Sequence, residues 1–424
     1  MKKQLIELLD TARGHMEPEH LIELLSFLCL IAKEAPCEFE ATLKLEFAQH
    51  YKELEDLGLK LSEQQGWPEG IGQAPDINKL NSDVMSQACT LTSELKDYSI
   101  FSQILETVTE RMGKKGWSCS SNQTTLTLFS ILVGNCSQKT LYSGAAGPAR
   151  LVSALNPEYA LLEENHRETW IIAYRLLLLE NHNFELLQAD SLSHDLSNEH
   201  QADIVVMEPP FGLRFSADQR RSLAKVNYLK VPTGNTLPAS AGDALWIQKA
   251  ISMLKPEGKA YLLLPQGWLF RGGYDAKVRD YLLENGLVEA IIGLPSGILD
   301  STAIPPALLI LNKGRSVNAP VIFVDASEIG TKSRRRHSLS NDDARLIKEL
   351  LSGKQPNDSR YKTVELTEIA AQGNTLSIQK YIQKQTETEQ LSVKAEFAQL
   401  AVMQKKYDTA RKKLARLLKD FESV

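Results

Sequence analysis

The sequence predicts an α/β protein in which a helical amino-terminal domain precedes a doubly wound, mostly parallel sheet. Two patterns predict this fold class. Leucines near the amino terminus recur at the i, i+3, i+4, i+7 spacing of one buried helical face. From about residue 113, short apolar segments alternate with amphipathic ones, and such alternation implies parallel strands with helices on both faces.

Length and composition place the chain among globular proteins of two or three domains. It has 424 residues, of which 43% are hydrophobic and 24% charged. The five cysteines are scattered and form no Cys-x-x-Cys pair, which favours a reducing compartment and argues against a structural zinc site or any other metal. No apolar run reaches the ~20 residues of a membrane span, so we predict a cytoplasmic protein without a membrane partner.

Residues 1–112 are predicted to form the helical amino-terminal domain. Leu5, Leu8 and Leu9 give one apolar face, and a second face follows between Leu21 and Leu28. Neither strand patterns nor hairpin turns occur there, and residues 66–72 form a loop by their glycine and proline content.

Residues 113–315 are predicted to form the sheet domain. The predicted strands are 139–142, 159–163, 184–188, 204–207, 259–264, 287–292 and 307–311, with helices at 166–180, 243–254 and 275–284. Residues 213–242 are polar and too long for an ordinary connection between strand and helix, which is typical of a functional loop.

The remaining chain divides into an extension of the sheet domain, 316–385, and a terminal helix, 386–424. The extension holds a strand at 321–325 and a helix at 341–351. In the terminal helix, apolar residues from Leu400 to Phe421 step alternately by three and four, as in a coiled coil. We favour a helix that pairs with a partner. The alternative is a lone helix that packs on its own domain.

The segment 203–212 presents an acid and an aromatic ring at the end of a buried strand. Residues 204–208 are apolar until Glu208, and Pro209 and Pro210 then end the strand because proline cannot donate to a sheet. Glu208 and Phe211 therefore lie at a strand's carboxyl end, where open α/β sheets bind ligands. Taken alone, the same segment is typical of a loop that carries a surface glutamate.

This segment resembles the Asn-Pro-Pro-Phe motif of amino-methylating DNA methyltransferases, with Glu208 in place of the asparagine. Residues 254–273, 281–295 and 302–313 resemble the modification (methyltransferase) subunit of type I restriction–modification enzymes, the N-6 adenine DNA methylase family. The resemblance covers roughly residues 190–313 in the family's order. It implies a Rossmann-like domain that depends on S-adenosylmethionine.

The resemblance also implies catalytic roles for the Glu-Pro-Pro-Phe turn. Glu208 would accept a hydrogen bond from the amino group of a flipped adenine, and the Pro209 carbonyl would accept a second. Pro210 completes the stiff turn, and Phe211 would stack on the base. Glutamate is one methylene longer than asparagine, and a misplacement of ~1 Å can cost ~100-fold in rate.

The cofactor positions match the family's pattern only in part. The family's glycine-rich turn falls at 141–148, where Ser143, Gly144 and Gly147 would line the cofactor, but the leading acid is missing and Pro148 removes an amide. The family's aromatic-Thr-Pro segment has only a poor match at 118–123.

Three acids do match by resemblance. Glu163 or Glu164 would accept the ribose hydroxyls, and Asp190 would meet the adenine amino group of the cofactor. The structural alternatives are a surface glutamate and a helix-capping aspartate.

Two short basic clusters are candidates for nucleic-acid contact, although a net charge of −5 is not typical of a nucleic-acid-binding protein. They lie at 111–115 and 332–337, the second with Arg334, Arg335 and Arg336. Phosphate contact and a solvated loop are equally favoured for both clusters.

The losses at three motifs lead to the functional hypothesis. We predict a type I restriction–modification-like subunit with an adenine-N6 methyltransferase fold, its catalysis impaired or lost, that associates with DNA in a restriction or phage-defence complex. The alternative is an active S-adenosylmethionine-dependent DNA adenine-N6 methyltransferase, and a remote one is an RNA or protein methyltransferase. The expected partners are DNA, a sequence-specificity subunit, a second copy of the chain and a restriction or translocase subunit.

Overall fold

A computed structural model describes residues 2–111, 121–197, 200–300, 302–334, 336–355, 357–382 and 393–421. The chain divides into two compact units, Met1–Ile382 and Gln383–Val424. Within the described ranges, no helix combines the length and the apolar character needed to cross a membrane.

The amino-terminal region is helical, as predicted. Its helices are α1 (Lys2–Ala12), α2 (Pro18–Glu34), α3 (Pro36–Thr42), α4 (Phe47–Gln65), α5 (Ser82–Glu94) and α6 (Phe101–Arg111). Helix α2 is the central helix. Its predicted apolar face, from Leu21 to Leu28, is buried, and so are Phe27 and Ile31 of the same helix. Leu5, Leu8 and Leu9 of α1 are buried too.

The sheet domain follows, with strands and helices in the predicted alternation. Its elements are α7 (Gln123–Val133), β1 (Thr140–Ser143), α8 (Arg150–Leu155), β2 (Tyr159–Glu164), α9 (Arg167–Leu179), β3 (Phe184–Gln188), β4 (Ala202–Met207), α10 (Ala217–Leu223), α11 (Gly242–Ser252), β5 (Leu254–Pro265), α12 (Tyr274–Glu284), β6 (Val288–Gly293), β7 (Pro306–Asn312) and β8 (Val321–Asp325).

The extension adds short elements before the terminal helix. They are β9 (Thr331–Lys332), β10 (His337–Ser338), α13 (Asn341–Leu351), β11 (Tyr361–Val364) and α14 (Leu366–Ala371), followed by α15 (Val393–Phe421). Strands β9, β10 and β11 were not predicted because two to four residues are too few for a periodic pattern.

Nine strands form one sheet in the order β11-β8-β6-β7-β5-β4-β1-β2-β3. It is mostly parallel, as predicted, and β7 and the edge strand β11 are antiparallel to their neighbours. The chain runs outward from β1 to β3 and then returns to place β4 beside β1. This reversal of strand order opens the crevice in which such sheets bind ligands, so the turn after β1 and the Glu208 turn after β4 lie side by side.

The two faces of the sheet bury different cores. Ile204 and Val206 of β4 face a core that is continuous with the amino-terminal helices. Val205 and Met207 of the same strand face the opposite core, formed largely with α11 and α12. This alternation follows from the period of two in a strand.

Candidate active site

Glu208 lies at the carboxyl end of β4 with its carboxylate turned into the protein. The hydroxyl of Ser121 donates a hydrogen bond to Glu208 Oε2. Glu208 Oε1 is buried and has no hydrogen-bond partner among the described residues, and the nearby hydroxyl of Thr125 donates to the Asn122 carbonyl at 3.1 Å. Burial raises the pKa of Glu208 above its ordinary value, against the opposing effect of the Ser121 hydrogen bond and the Arg150 charge.

Arg150, the first residue of α8, links the hydrogen-bonded Ser121 and Glu208 to the amino-terminal helices. Its guanidinium is only 3% exposed and forms an ion pair with Glu106 of α6 at 3.2 Å. Its Nη1 also donates to the Ser121 carbonyl. Ser121 is therefore held by Arg150 through its carbonyl and by Glu208 through its hydroxyl, which joins α6, α8 and the end of β4.

The turn after β1 is filled by protein atoms. A Cβ on Gly144 would lie 2.7 Å from the Tyr142 hydroxyl and 3.2 Å from Cβ of Ser191, and the Ser191 hydroxyl donates to the Gly144 carbonyl. The Ser143 hydroxyl is buried without a hydrogen-bond partner among the described residues. Gly147, with φ of +54°, donates its amide to a Glu164 carboxylate oxygen at 2.9 Å.

Glu163 is fully buried in a polar cluster below this turn. Its carboxylate accepts a hydrogen bond from the Tyr142 hydroxyl, approaches His194 Nδ1 at 2.7 Å and pairs with the Lys249 ammonium at 3.4 Å. Lys249, also fully buried, lies 5.7 Å from the centre of the Tyr142 ring and 5.6 Å from that of Tyr228. Burial lowers the pKa of Lys249, and Glu163 opposes this shift.

Glu164 and Asp190 are also engaged by the backbone. The second Glu164 oxygen accepts from the His166 amide at 2.8 Å. Asp190 is exposed and accepts from the Leu192 amide at 3.2 Å, so it forms a local turn, and no helix of the described residues begins there.

The remaining residues of the catalytic motif form the predicted turn. Pro209 is buried, Pro210 is exposed and Phe211 is half-buried. Gly212 follows with φ of +71°, a conformation that glycine adopts without steric cost. The chain then enters the long 213–242 loop, which contains α10.

Arg336 of the second basic cluster lies near the Glu208 side of the sheet. Arg336 forms an ion pair with Asp300 at 3.1 Å, and Asn122, the neighbour of Ser121, donates to the Ile298 carbonyl at 2.8 Å. Arg334 is exposed, and Arg335 lies outside the described residues. The first basic cluster, 111–115, lies almost entirely outside them as well.

Comparison with known proteins identifies the family. The family model described as N-6 DNA Methylase matches residues 162–390, more than half of the chain. The chain belongs to the N-6 DNA methylase family. This family implies S-adenosylmethionine as the methyl donor.

Curated relatives are methylase subunits of type I restriction enzymes. The chain is 27% identical over 243 residues to the MpnII methylase subunit of Mycoplasma pneumoniae, covering 55% of this chain and 45% of the relative. It is 24% identical over 261 residues to the MjaVII methylase subunit of Methanocaldococcus jannaschii, covering 59% and 45%. The aligned region thus spans about half the length of these relatives.

Solved structures share the fold. A type I restriction–modification methyltransferase subunit from Streptococcus thermophilus superposes with a TM-score of 0.76 at 18% identity, covering 90% of this chain and 98% of that one. A chain from a study of complex assembly in the type I system superposes at 0.67 with 16% identity, covering 98% and 97%.

Three polar side chains around the predicted cofactor positions are bonded to other protein groups. Glu163 is paired with a buried lysine, and Glu164 accepts two backbone amides. Ser191 bonds the carbonyl of Gly144. The hydroxyl of Ser143, by contrast, has no partner among the described residues, so the described conformation engages only part of the predicted donor set.

Ser121, Arg150 and Lys249 were missed by the sequence analysis. For Lys249 a signal was present, since it is the one cation in an otherwise uncharged stretch of α11, Ala244–Ile251, and a buried lysine requires a partner. Arg150 carried no comparable signal because its partners lie far away in the sequence.

Proposed function

We propose that this chain is a modification-type subunit of a type I restriction–modification-like assembly that associates with DNA and whose own methyl transfer is impaired or lost. The observation that carries the proposal is the Glu163–Lys249 ion pair. It neutralises Glu163 inside the protein, and Glu163 is one of the two acids, with Glu164, predicted to accept the ribose hydroxyls of S-adenosylmethionine.

The electrostatics of this pair support the proposal. Two fully buried charges at 3.4 Å form a pair that is costly to separate, because removal of one partner leaves an uncompensated charge. Cofactor binding through Glu163 would have to compete with Lys249, His194 and the Tyr142 hydroxyl together.

The catalytic motif supports the same conclusion. Ser121 already bonds one oxygen of Glu208, and burial raises the pKa of this carboxyl. The oxygen to which Ser121 donates is therefore less available to the adenine amino group than the amide oxygen of the family's asparagine.

One observation favours the alternative of an active adenine-N6 methyltransferase. Glu208 Oε1 is buried without a hydrogen-bond partner among the described residues, and a rotation of the side chain would present this unpaired oxygen to a substrate amino group. In this alternative the cluster around Glu163 opens when S-adenosylmethionine enters.

The proposed partners are those of a modification subunit in a defence complex. They comprise DNA, a sequence-specificity subunit, a second copy of the chain and a restriction or translocase subunit.

The described apolar residues of α15 include Leu400, Met403, Tyr407 and Leu414, all at least 58% exposed. Their alternating spacing of three and four supports a coiled-coil partner.

Calorimetric titration of the purified full chain with S-adenosylmethionine, repeated with S-adenosylhomocysteine, tests the proposal. We expect no heat of binding from a chain that circular dichroism shows to be folded. Micromolar binding would overturn the impairment and favour the active enzyme. The variant Lys249→Met, which releases Glu163, serves as the comparison and is expected to gain cofactor affinity if it stays folded.

A further inference from the structure

The longest loop at the carboxyl edge of the sheet is strongly basic, in contrast to the whole chain. Residues 213–242 contain five cations (Arg214, Arg220, Arg221, Lys225 and Lys230) and a single acid, Asp218. Asp218 forms an ion pair with Arg221. The chain as a whole carries a net charge of −5, so this loop concentrates positive charge beside the Glu208 turn.

Part of this loop lines an open cavity of about 490 Å³ together with the beginning of α12. One wall is Arg220 and the segment from Pro232 to Pro238, and the other is Gly273, Tyr274 and Lys277. The loop leaves the end of β4 and α12 follows the end of β5. Because β4 and β5 are parallel neighbours, the cavity opens at the same edge of the sheet as Glu208.

The polar groups around the cavity suit an anion. Arg220 donates Nε to the Leu237 carbonyl, which fixes the guanidinium and leaves both terminal nitrogens without a hydrogen bond to any described residue. Lys277 is exposed and has no ion pair within the described part of the chain. The buried hydroxyl of Thr233 has no partner among the described residues.

The backbone adds to this positive field. Helix α12 has 11 residues and begins after Gly273, so its first amides point toward the cavity. Two acids lie near this end of α12: Asp275 in its first turn and Asp243 in α11. Arg271 neutralises both, through an ion pair with Asp275 at 3.1 Å and another with Asp243.

We propose that this cavity binds a phosphate of a nucleic-acid backbone and so positions the duplex over the Glu208 edge of the sheet. The site rests on the proposed association with DNA and specifies where that association occurs. Arg220 supplies a directed guanidinium, Lys277 a mobile charge and Thr233 a hydroxyl donor, the combination by which proteins position a phosphate without reading sequence.

The test is fluorescence anisotropy of a labelled duplex of arbitrary sequence, titrated with the full chain over a series of salt concentrations. We expect Arg220→Gln and Lys277→Gln each to weaken binding and to reduce the slope of log K against log salt by about one. Arg221→Gln is the matched control, because it removes the same charge from the neighbouring position of α10 without lining the cavity. It is expected to keep the wild-type slope.

The outcomes separate the site from the function on which it rests. If the wild-type chain binds no duplex, the proposed DNA association fails and the site fails with it. If the wild type binds and Lys277→Gln, an exposed change that preserves folding, binds equally well, the site alone is overturned. An equal loss in Arg221→Gln overturns it too, since a diffuse basic surface then explains the binding. Competition by inorganic phosphate at matched ionic strength, absent in the Arg220→Gln variant, supports the site.

Discussion

Arg150 and Glu208 have opposite charges and share one neighbour, Ser121. Ser121 and the Arg150 charge partly offset the cost of burying Glu208, whose pKa burial nevertheless raises. Arg150 in turn is balanced by Glu106. The side chains nearest the catalytic turn therefore stabilise one another, which explains how a glutamate is tolerated at this position.

Arg150→Met tests this mutual support. The change leaves Glu106 and the Ser121 carbonyl without their buried partner, so we expect the free energy of unfolding to fall by about 3 kcal/mol. Urea unfolding would measure it. In a double-mutant cycle, Arg150→Met combined with Glu106→Gln should cost clearly less than the sum of the single changes. Additive losses would contradict the pairing.

Asp275 predicts a pH dependence of stability. Burial raises its pKa from 3.8 to about 6, against the effect of Arg271. The folded state binds this proton more tightly, so the stability that Asp275 contributes is fully present below pH 3.8 and is lost as the pH rises through about 6. Relative to Asp275→Asn, the wild type should lose on the order of 2 to 3 kcal/mol between pH 4 and 7. If the free energy of unfolding changed with pH in the same way in both proteins, Asp275 would not cause the pH dependence.

At the scale of elements, Arg175 joins the helical region to α9. It is fully buried, and its guanidinium donates to the carbonyls of Glu23, Gly70, Ile71 and Gln73 and to the Ser26 hydroxyl, at distances from 2.7 to 3.2 Å. It also lies 5.4 Å from the centre of the Phe27 ring. Although burial lowers its pKa to about 10, it stays charged at neutral pH and satisfies four backbone carbonyls.

Arg175→Met should therefore destabilise the protein by about 3 to 5 kcal/mol, because four carbonyls and the Ser26 hydroxyl lose a charged donor. Arg167→Met is the matched control on the same helix: Arg167 is exposed and donates only at 3.2 and 3.3 Å to Gln188 and the Glu69 carbonyl. Its loss should cost about 0.5 kcal/mol or less. Equal thermal shifts for the two variants would show that Arg175 does not join the two regions.

Helix α15 belongs to the second compact unit of the chain, Gln383–Val424. Removal of residues 391–424 is therefore expected to leave the melting temperature of the remainder unchanged while association with a specificity subunit is lost. Co-purification of the truncated chain with that subunit at normal stoichiometry would contradict the prediction. A loss of folding would show instead that α15 stabilises its own domain.

At the scale of the molecule, most of the helices and strands that were predictable from the sequence were predictable from apolar periodicity. The strand at 204–207 and the turn that follows it were predictable because a buried run and two prolines are local signals. The Glu163–Lys249 pair and the Arg150–Ser121–Glu208 chain were not, because they join residues 29 to 87 positions apart. Composition and spacing along the chain carry no information about which distant charges meet.

The core also extends across the predicted boundary at residue 112. One continuous cluster joins buried leucines of α1 and α2 to α9 and to the Ile204 face of the sheet, and both regions belong to one compact unit. We therefore expect residues 2–382 to unfold in a single cooperative transition. Calorimetry should give equal calorimetric and van't Hoff enthalpies, and Arg175→Met should lower the whole transition rather than split it. Two separable transitions would show that the helical region is an independent domain, because a shared core cannot open on one side without exposing the apolar face of α9 to water.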